Sequence, residues 1–153
     1  MNFDCFQPYG DRFTDEDIRQ IETTIDATLP DDYRTFLIER GGGSIIGNVR
    51  IGFAGMDNDV FILFGKKGAL DLDPRTSGDL RLGDELDHYP PNSLVIADSI
   101  FGHPYFGVFR DGTMEIRWMG YLEVADSLHV ASSFTAFLEM IDVTPHDDAP
   151  PSA

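Results

Sequence analysis

Apolar residues recur at helical spacing in three parts of the chain, and the part that organises the others reads LPDDYRTFLIERGGG. Tyr33, Phe36 and Leu37 form one apolar stripe there, which predicts a short amphipathic helix. Pro30 is expected at the first helical position, where proline costs no hydrogen bond. The run Gly41–Gly43 is expected to end the helix. Because a helix this short is marginally stable alone, its stripe must pack on a larger layer.

Two further helices are predicted from the same spacing. Thr14 begins a capping box, and the isoleucines after it predict a helix from Asp15 to about Ala27. A second helix is predicted to begin at Phe134, with an apolar stripe that continues to Ile141. From these stripes we expect six residues to be largely buried: Tyr33, Phe36, Leu37, Phe134, Phe137 and Leu138.

After the glycines the apolar period changes from 3.6 to 2, which is typical of β-strands. Alternation predicts a half-buried strand over residues 49–53. Residues 57–59, with the sequence DND, are predicted to turn, and the apolar run 60–64 is predicted to be a strand covered on both faces. A further strand is predicted over residues 93–98.

A β-hairpin is the sharpest local prediction. The segments 105–109 and 114–118 flank a turn with Asp111-Gly112 at its tip. A two-residue loop there places Tyr105 opposite Trp118 and makes one face of the hairpin wholly apolar. The second face, around Phe106, Val108 and Glu115, is then expected to be exposed, and it offers a reserve surface for binding.

In three places the chain resembles the SUKH superfamily, the Smi/Knr-type proteins. These places are the stretch LPDDYRTFL with its glycines, the strand LVIAD with the hairpin up to Trp118, and the segment ASSFTAFL. Many relatives carry an acidic residue where this chain has His103. The resemblance implies an α+β fold in which N-terminal helices and a C-terminal helix pack on a mostly antiparallel sheet of about five or six strands.

The chain length of 153 residues fits a single domain. We expect one SUKH-like domain over residues 1–143, with an irregular beginning over residues 1–13. Residues 144–153 are rich in proline and polar residues, so we expect a disordered tail there.

The charge of the chain is strongly negative, with 27 acidic and 11 basic side chains and a net charge of −16. Such a field repels nucleic acids and anionic membranes and attracts basic proteins. Residues 71–92 give no clear period and are predicted to form a short helix with a flanking loop. Six acidic residues in this segment form the predicted partner-binding surface: Asp71, Asp73, Asp79, Asp84, Glu85 and Asp87.

Candidate catalytic and metal-binding patterns are weak. The four histidines lack the spacing of a zinc site, and neither Asp57-x-Asp59 nor Asp71-x-Asp73 continues as a calcium loop. The group Asp98, Ser99 and His103 lacks the strand–turn–helix setting of a G-x-S-x-G nucleophile. We therefore expect a protein that is not an enzyme and that needs no metal and no cofactor.

The sequence also favours a cytoplasmic location. Cys5 is the only cysteine, which suits a reducing compartment. The first residues lack the pattern of a signal peptide, and no apolar run is long enough to span a membrane.

The function that the resemblance implies is that of a bacterial immunity protein, which binds and neutralises a polymorphic or contact-dependent toxin, often a nuclease. The predicted partner is a basic protein. An alternative is an intracellular regulatory or scaffold module of the same fold with no toxin partner, as fungal relatives imply. A third hypothesis is an enzyme that uses the turn from Asp98 to His103.

Overall fold

The structure, a computed structural model, describes residues 3–9, 12–51, 57–65, 92–99, 104–118 and 127–144. Its helices and strands, in chain order, are β1 (Phe6–Tyr9), α1 (Asp15–Ile25), α2 (Asp31–Glu39), β2 (Gly42–Ile51), β3 (Asp57–Leu63), β4 (Ser93–Ser99), β5 (Tyr105–Arg110), β6 (Thr113–Trp118), β7 (Leu128–Ala131), α3 (Phe134–Glu139) and β8 (Ile141–Thr144). Over the described residues, the three helices pack on an eight-stranded antiparallel sheet. The predicted α+β fold is confirmed.

The sheet is a meander in which β1 to β7 follow one another in chain order. The exception is β8, which returns to pair with β2 over residues 48–51, while β1 pairs with β2 over residues 42–45. Both lie on the edge of β2 opposite β3, because Gly43 faces Pro8 on one side and Leu63 on the other. One edge of β2 is therefore shared by two short strands that come from distant parts of the chain.

The sheet has eight strands, more than the five or six that the sequence predicts. The three additional strands are β1, β7 and β8, each of only four residues. Four residues are too few to establish an apolar period, and pairing with distant partners decides their conformation. The region 1–13, predicted as irregular, thus contributes a strand to the sheet.

Several predicted boundaries differ from the structure, and for residues 57–59 and Ile141 the reason is pairing with β2. Residues 57–59 do not turn but begin β3, since Asp57 and Asn58 pair with β2. Ile141 is not the end of the third helix but the first residue of β8. Pro30 caps α2 from outside its first turn, and α1 ends at Ile25. The capping box of Thr14 with Asp17 is confirmed.

The three glycines after α2 have different structural roles. Gly41 ends the helix with a φ of 72°, a left-handed conformation that glycine adopts without strain. Gly42 and Gly43 already belong to β2, where the need is for space. A Cβ placed on Gly65 would lie 2.6 Å from the Cα of Gly42, so the two backbones cross at a distance that excludes side chains. The prediction that all three glycines serve the helix end is therefore wrong for the last two.

The hairpin prediction is confirmed in turn and register. Asp111 and Gly112 form the turn, both with positive φ, as in the tight turns that match the twist of a hairpin. Tyr105 lies opposite Trp118, and Phe109 lies opposite Met114.

An aromatic cluster joins the helices to the apolar face of the hairpin. The ring of Phe134 in α3 lies 4.8 Å from that of Tyr33 and 5.0 Å from that of Phe36, both in α2. Tyr33 also stacks on Phe109, and Tyr105 contacts Phe137. The three stretches that carry the family resemblance therefore meet in one layer of the core.

Five of the six predicted core residues are buried, whereas Leu138 is partly exposed. The hydroxyl of Tyr33 is buried, and no described residue forms a hydrogen bond with it. Burial raises the pKa of Tyr33 and, together with the charge of Asp98, that of Tyr105. Both side chains therefore remain neutral in the folded protein at any ordinary pH.

Candidate interaction surface

The predicted partner-binding segment lies outside the described residues. This applies to all six acidic side chains, namely Asp71, Asp73, Asp79, Asp84, Glu85 and Asp87, and also to His103 of the turn after Asp98. Their role remains a prediction. Negative charge is not confined to that segment, because Glu16, Glu39 and Glu139 are exposed on the three helices. Negative charge is therefore present on the helices as well as in that segment.

The reserve surface on the hairpin is wrong for two of its three residues. Phe106 and Val108 are only 1% and 6% exposed and belong to the core. Strand β5 lies between β4 and β6, and both of its faces are covered, which the alternation within the hairpin alone could not reveal. Of the three, only Glu115 reaches solvent.

Glu115 is the centre of a polar network that spans β6 and β7. Its Oε2 atom lies 2.9 Å from Nη1 of Arg117 and 2.6 Å from Nδ1 of His129. Arg117 also donates from Nε to the hydroxyl of Ser127 at 2.8 Å and from Nη2 to the carbonyl oxygen of Ser127. We call Glu115, Arg117, Ser127 and His129 the β6–β7 network. It fixes the start of β7 to the neighbouring strand.

Charge compensation keeps the carboxylate ionised. Partial burial by itself would raise the pKa of Glu115, but the hydrogen bond with His129 and the charge and hydrogen bond of Arg117 outweigh it, so the pKa is lowered. About half of the His129 side chain is exposed, so its contact with Glu115 is open to water and to salt.

Ser132 lies next to the β6–β7 network, with its Oγ atom 3.5 Å from Nε2 of His129, so that Ser132, His129 and Glu115 follow one another in the order of a serine hydrolase triad. That distance is at the outer limit of a hydrogen bond. Arg117 already compensates the charge of Glu115, so less of that charge stabilises an imidazolium. These features are typical of a structural network at a sheet edge. In the described residues, no group of three acidic, histidine or cysteine side chains has the arrangement of a metal site.

A second polar feature is an open cleft of about 420 Å³ between the end of α1 and the tip of the hairpin. Asp26 lines it from the end of α1, Asn92 from just before β4, and Phe109, Arg110 and Asp111 from the hairpin. Two of these residues are joined by a hydrogen bond, because Asn92 donates from Nδ2 to the carbonyl oxygen of Phe109 at 2.6 Å. The cleft carries charges of both signs, which does not single out one kind of ligand.

The sequence contained partial signals for these features. The alternation of Glu115 and Arg117 placed both on one strand face, as observed. His129 gave no signal, because β7 was not predicted and a register shift between Ile116 and Arg117 aligns it with β6. The cleft depends on the approach of α1 to a hairpin more than 80 residues away in sequence, which no local pattern encodes.

Comparison with known protein families gives a match over most of the chain. Residues 12–140 match the model of the SMI1 / KNR4 family (SUKH-1). The matched region runs from just before α1 to the end of α3, and it includes all three stretches of the resemblance. The search of curated proteins finds no match. None of the helices in the described ranges is long and apolar enough to cross a bilayer.

Proposed function

The chain belongs to the SMI1 / KNR4 family (SUKH-1), and we propose on this basis that it is an immunity protein, which binds a bacterial toxin one to one and blocks it without a catalytic step. The match over residues 12–140 is the observation that carries the proposal. The net charge of −16 supports a basic partner of the nuclease type.

The physical basis of the proposed binding is charge complementarity. A nuclease grips phosphates and therefore presents basic side chains at its active site. An acidic protein is attracted to that surface over distances of about 10 Å at moderate salt, which raises the association rate. Occupation of the basic surface would exclude the nucleic acid.

A functional test uses whichever toxin domain the gene neighbourhood of this chain provides. Co-expression of the two is expected to restore growth that the toxin alone abolishes, and the purified chain is expected to inhibit the toxin fully at a one-to-one ratio. Growth arrest that persists together with the absence of a complex would refute the proposal. It would favour the regulatory or scaffold module without a toxin partner.

The acidic segment is the proposed contact surface, and its test compares two variants of equal charge. In the first, Asp84, Glu85 and Asp87 are changed to the corresponding amides. In the control, three exposed glutamates on the helices, Glu16, Glu39 and Glu139, are changed to glutamine. The first variant should associate more slowly with the toxin domain and show a weaker salt dependence than the control. Equal rates for the two variants would show that the segment is not the contact surface.

A further inference from the structure

The segment Phe3–Tyr9, which we call the strap, lies along the edge of β2 opposite β3. Its strand β1 pairs from Phe6 opposite Ile45 to Tyr9 opposite Gly42. The strap lies outside residues 12–140, the part of the chain that matches the family. In the described part of residues 12–140 no strand pairs with this half of the β2 edge, and in this chain the strap fills it.

Aromatic contacts attach the strap to α2. The ring of Phe6 packs edge-on against Phe36 at 6.1 Å and against Phe3 at 5.5 Å. Phe3 stacks on Phe36 at 6.4 Å, and the guanidinium of Arg40 lies over the Phe3 ring, 3.9 Å from its centroid. Two aromatic residues three positions apart thus occupy a groove formed by Phe36, Arg40 and the edge of β2.

The backbone of β2 is shaped to receive a strand at this position. A Cβ on Gly43 would collide with the carbonyl group of Gln7 and would lie 2.7 Å from the ring of Phe6. The backbone conformation does not require glycine at position 43, because φ is not positive there. Glycine is required there by the close approach of the strap, which leaves no room for a Cβ. The groove therefore consists of the edge of Gly42–Ile45, the space above Gly43 and the ring of Phe36.

Although it forms a strand of the sheet, the strap is held by few buried contacts. None of its first four residues is fully buried: Phe3, Cys5 and Phe6 are partly buried, and Asp4 is exposed. Gln7 and Pro8 are exposed, and Pro8 has no N–H to donate. Segments with few buried contacts open locally at a small fraction of the global free energy of unfolding. Opening would uncover Phe36 and leave the edge of Gly42–Ile45 unpaired.

We propose that this groove is a strand-binding site and that the strap of a second copy fills it when two chains meet with their straps open. The second copy is the partner because it carries a segment whose fit to the groove the structure shows. In the exchanged dimer, each groove regains from the strap of the other copy the contacts that it lost when its own strap opened, so no new interface is needed. The strap-exchanged dimer therefore forms in proportion to protein concentration. Added salt favours it, because salt screens the repulsion between two chains of charge −16.

The test traps the strap with a disulfide in the full chain. Gln7 and Ser44 lie directly opposite each other across β1 and β2, at a separation that suits a disulfide. The trap variant carries Gln7→Cys and Ser44→Cys, with Cys5→Ser to remove the native thiol. In the unexchanged chain the disulfide closes within one molecule, whereas in the exchanged dimer it joins two molecules. Non-reducing electrophoresis after brief oxidation separates the two products.

The expected result is a covalent dimer whose fraction rises about tenfold for a tenfold increase in protein concentration, as long as the monomer predominates. A control with Gln7→Cys and Cys5→Ser alone measures the background of random disulfides. Disulfides within single molecules at every concentration, with dimer at the control level, would overturn the proposal. Sedimentation of the unmodified chain at the same concentrations guards against a folding defect in the trap variant. An unmodified chain that stays monomeric throughout would also overturn it.

Discussion

Asp32 and its neighbour Asp31 provide a paired test of what holds the helices together. Both lie in the first turn of α2, where the helix dipole favours negative charge to the same degree. Asp31 is 96% exposed and forms only a surface ion pair with Arg34 at 3.3 Å. Asp32 instead reaches α3, where its Oδ2 atom accepts from the backbone N–H and from the hydroxyl of Thr135, both at 2.9 Å.

The cost of Asp32→Ala follows from these bonds. A carboxylate that caps a helix N–H contributes about 1 kcal/mol, and a hydrogen bond from a hydroxyl to a charged group contributes about 1 kcal/mol or more. Thr135 is exposed, so water replaces part of the loss and the sum stays near 2 kcal/mol. Asp31→Ala loses only a surface ion pair, at about 0–0.5 kcal/mol, plus the same dipole contribution. The difference between the two variants should be about 2 kcal/mol.

Urea unfolding at neutral pH measures this difference, and thermal unfolding should show about 4–8 °C between the two midpoints. The variant Thr135→Val gives the second arm of a double-mutant cycle. Asp32→Ala should cost about 1 kcal/mol less on that background, because the hydroxyl bond is already lost. Equal stabilities for Asp31→Ala and Asp32→Ala would refute the claim that Asp32 ties α2 to α3.

Four further outcomes are expected from urea unfolding. Phe137→Ala should cost about 3–5 kcal/mol, since the ring is fully buried against Tyr105, and a wild-type midpoint would contradict the assignment of the core. Tyr33→Phe should stabilise the protein by about 1 kcal/mol, because it removes a buried hydroxyl without a partner; a loss of stability would reveal a missing partner. Burial raises the pKa of Tyr33 and Tyr105 above 10.0, so their contribution to the free energy of unfolding is fully present below pH 10 and is lost above it, as the unfolded chain ionises. Each tyrosine should lower the free energy of unfolding by about 1.4 kcal/mol per pH unit above pH 10, and Tyr33→Phe should remove the part of this slope that Tyr33 causes. The lowered pKa of Glu115 gives the opposite sign: its contribution is present above its ordinary pKa of 4.5 and is lost as the pH falls, so Glu115→Gln should flatten the acid limb, and an unchanged limb would contradict the network.

The local sequence determined those elements whose residues interact with close neighbours along the chain. The hairpin is the best case, because Asp111-Gly112 fixes the turn and a fixed turn fixes every pair up to Tyr105 and Trp118. The stripe of α2 and the capping box of α1 are equally local. The family resemblance rests on residues of this kind, so it identified the fold although it could not place a binding surface.

Tertiary structure alone decided the features that depend on distant parts of the chain. Strands β1, β7 and β8 form because an edge is available to pair with them, and their own four residues carry no period. Phe106 lies on the second face of the hairpin and is nevertheless buried, because both faces of β5 are covered.

The contacts that join the elements show the same division. Asp32 acts on Thr135 at a separation of 103 residues, and a sequence pattern cannot show which of two adjacent aspartates does so. The run of glycines predicts that Gly43 belongs to the end of a helix, but in the structure its lack of a side chain makes room for the strap. In each case the residue type allows an interaction, such as a hydrogen bond to a carboxylate or the close approach of a backbone. Which partner it interacts with depends on how distant segments pack, because burial and hydrogen bonding depend on which surfaces meet.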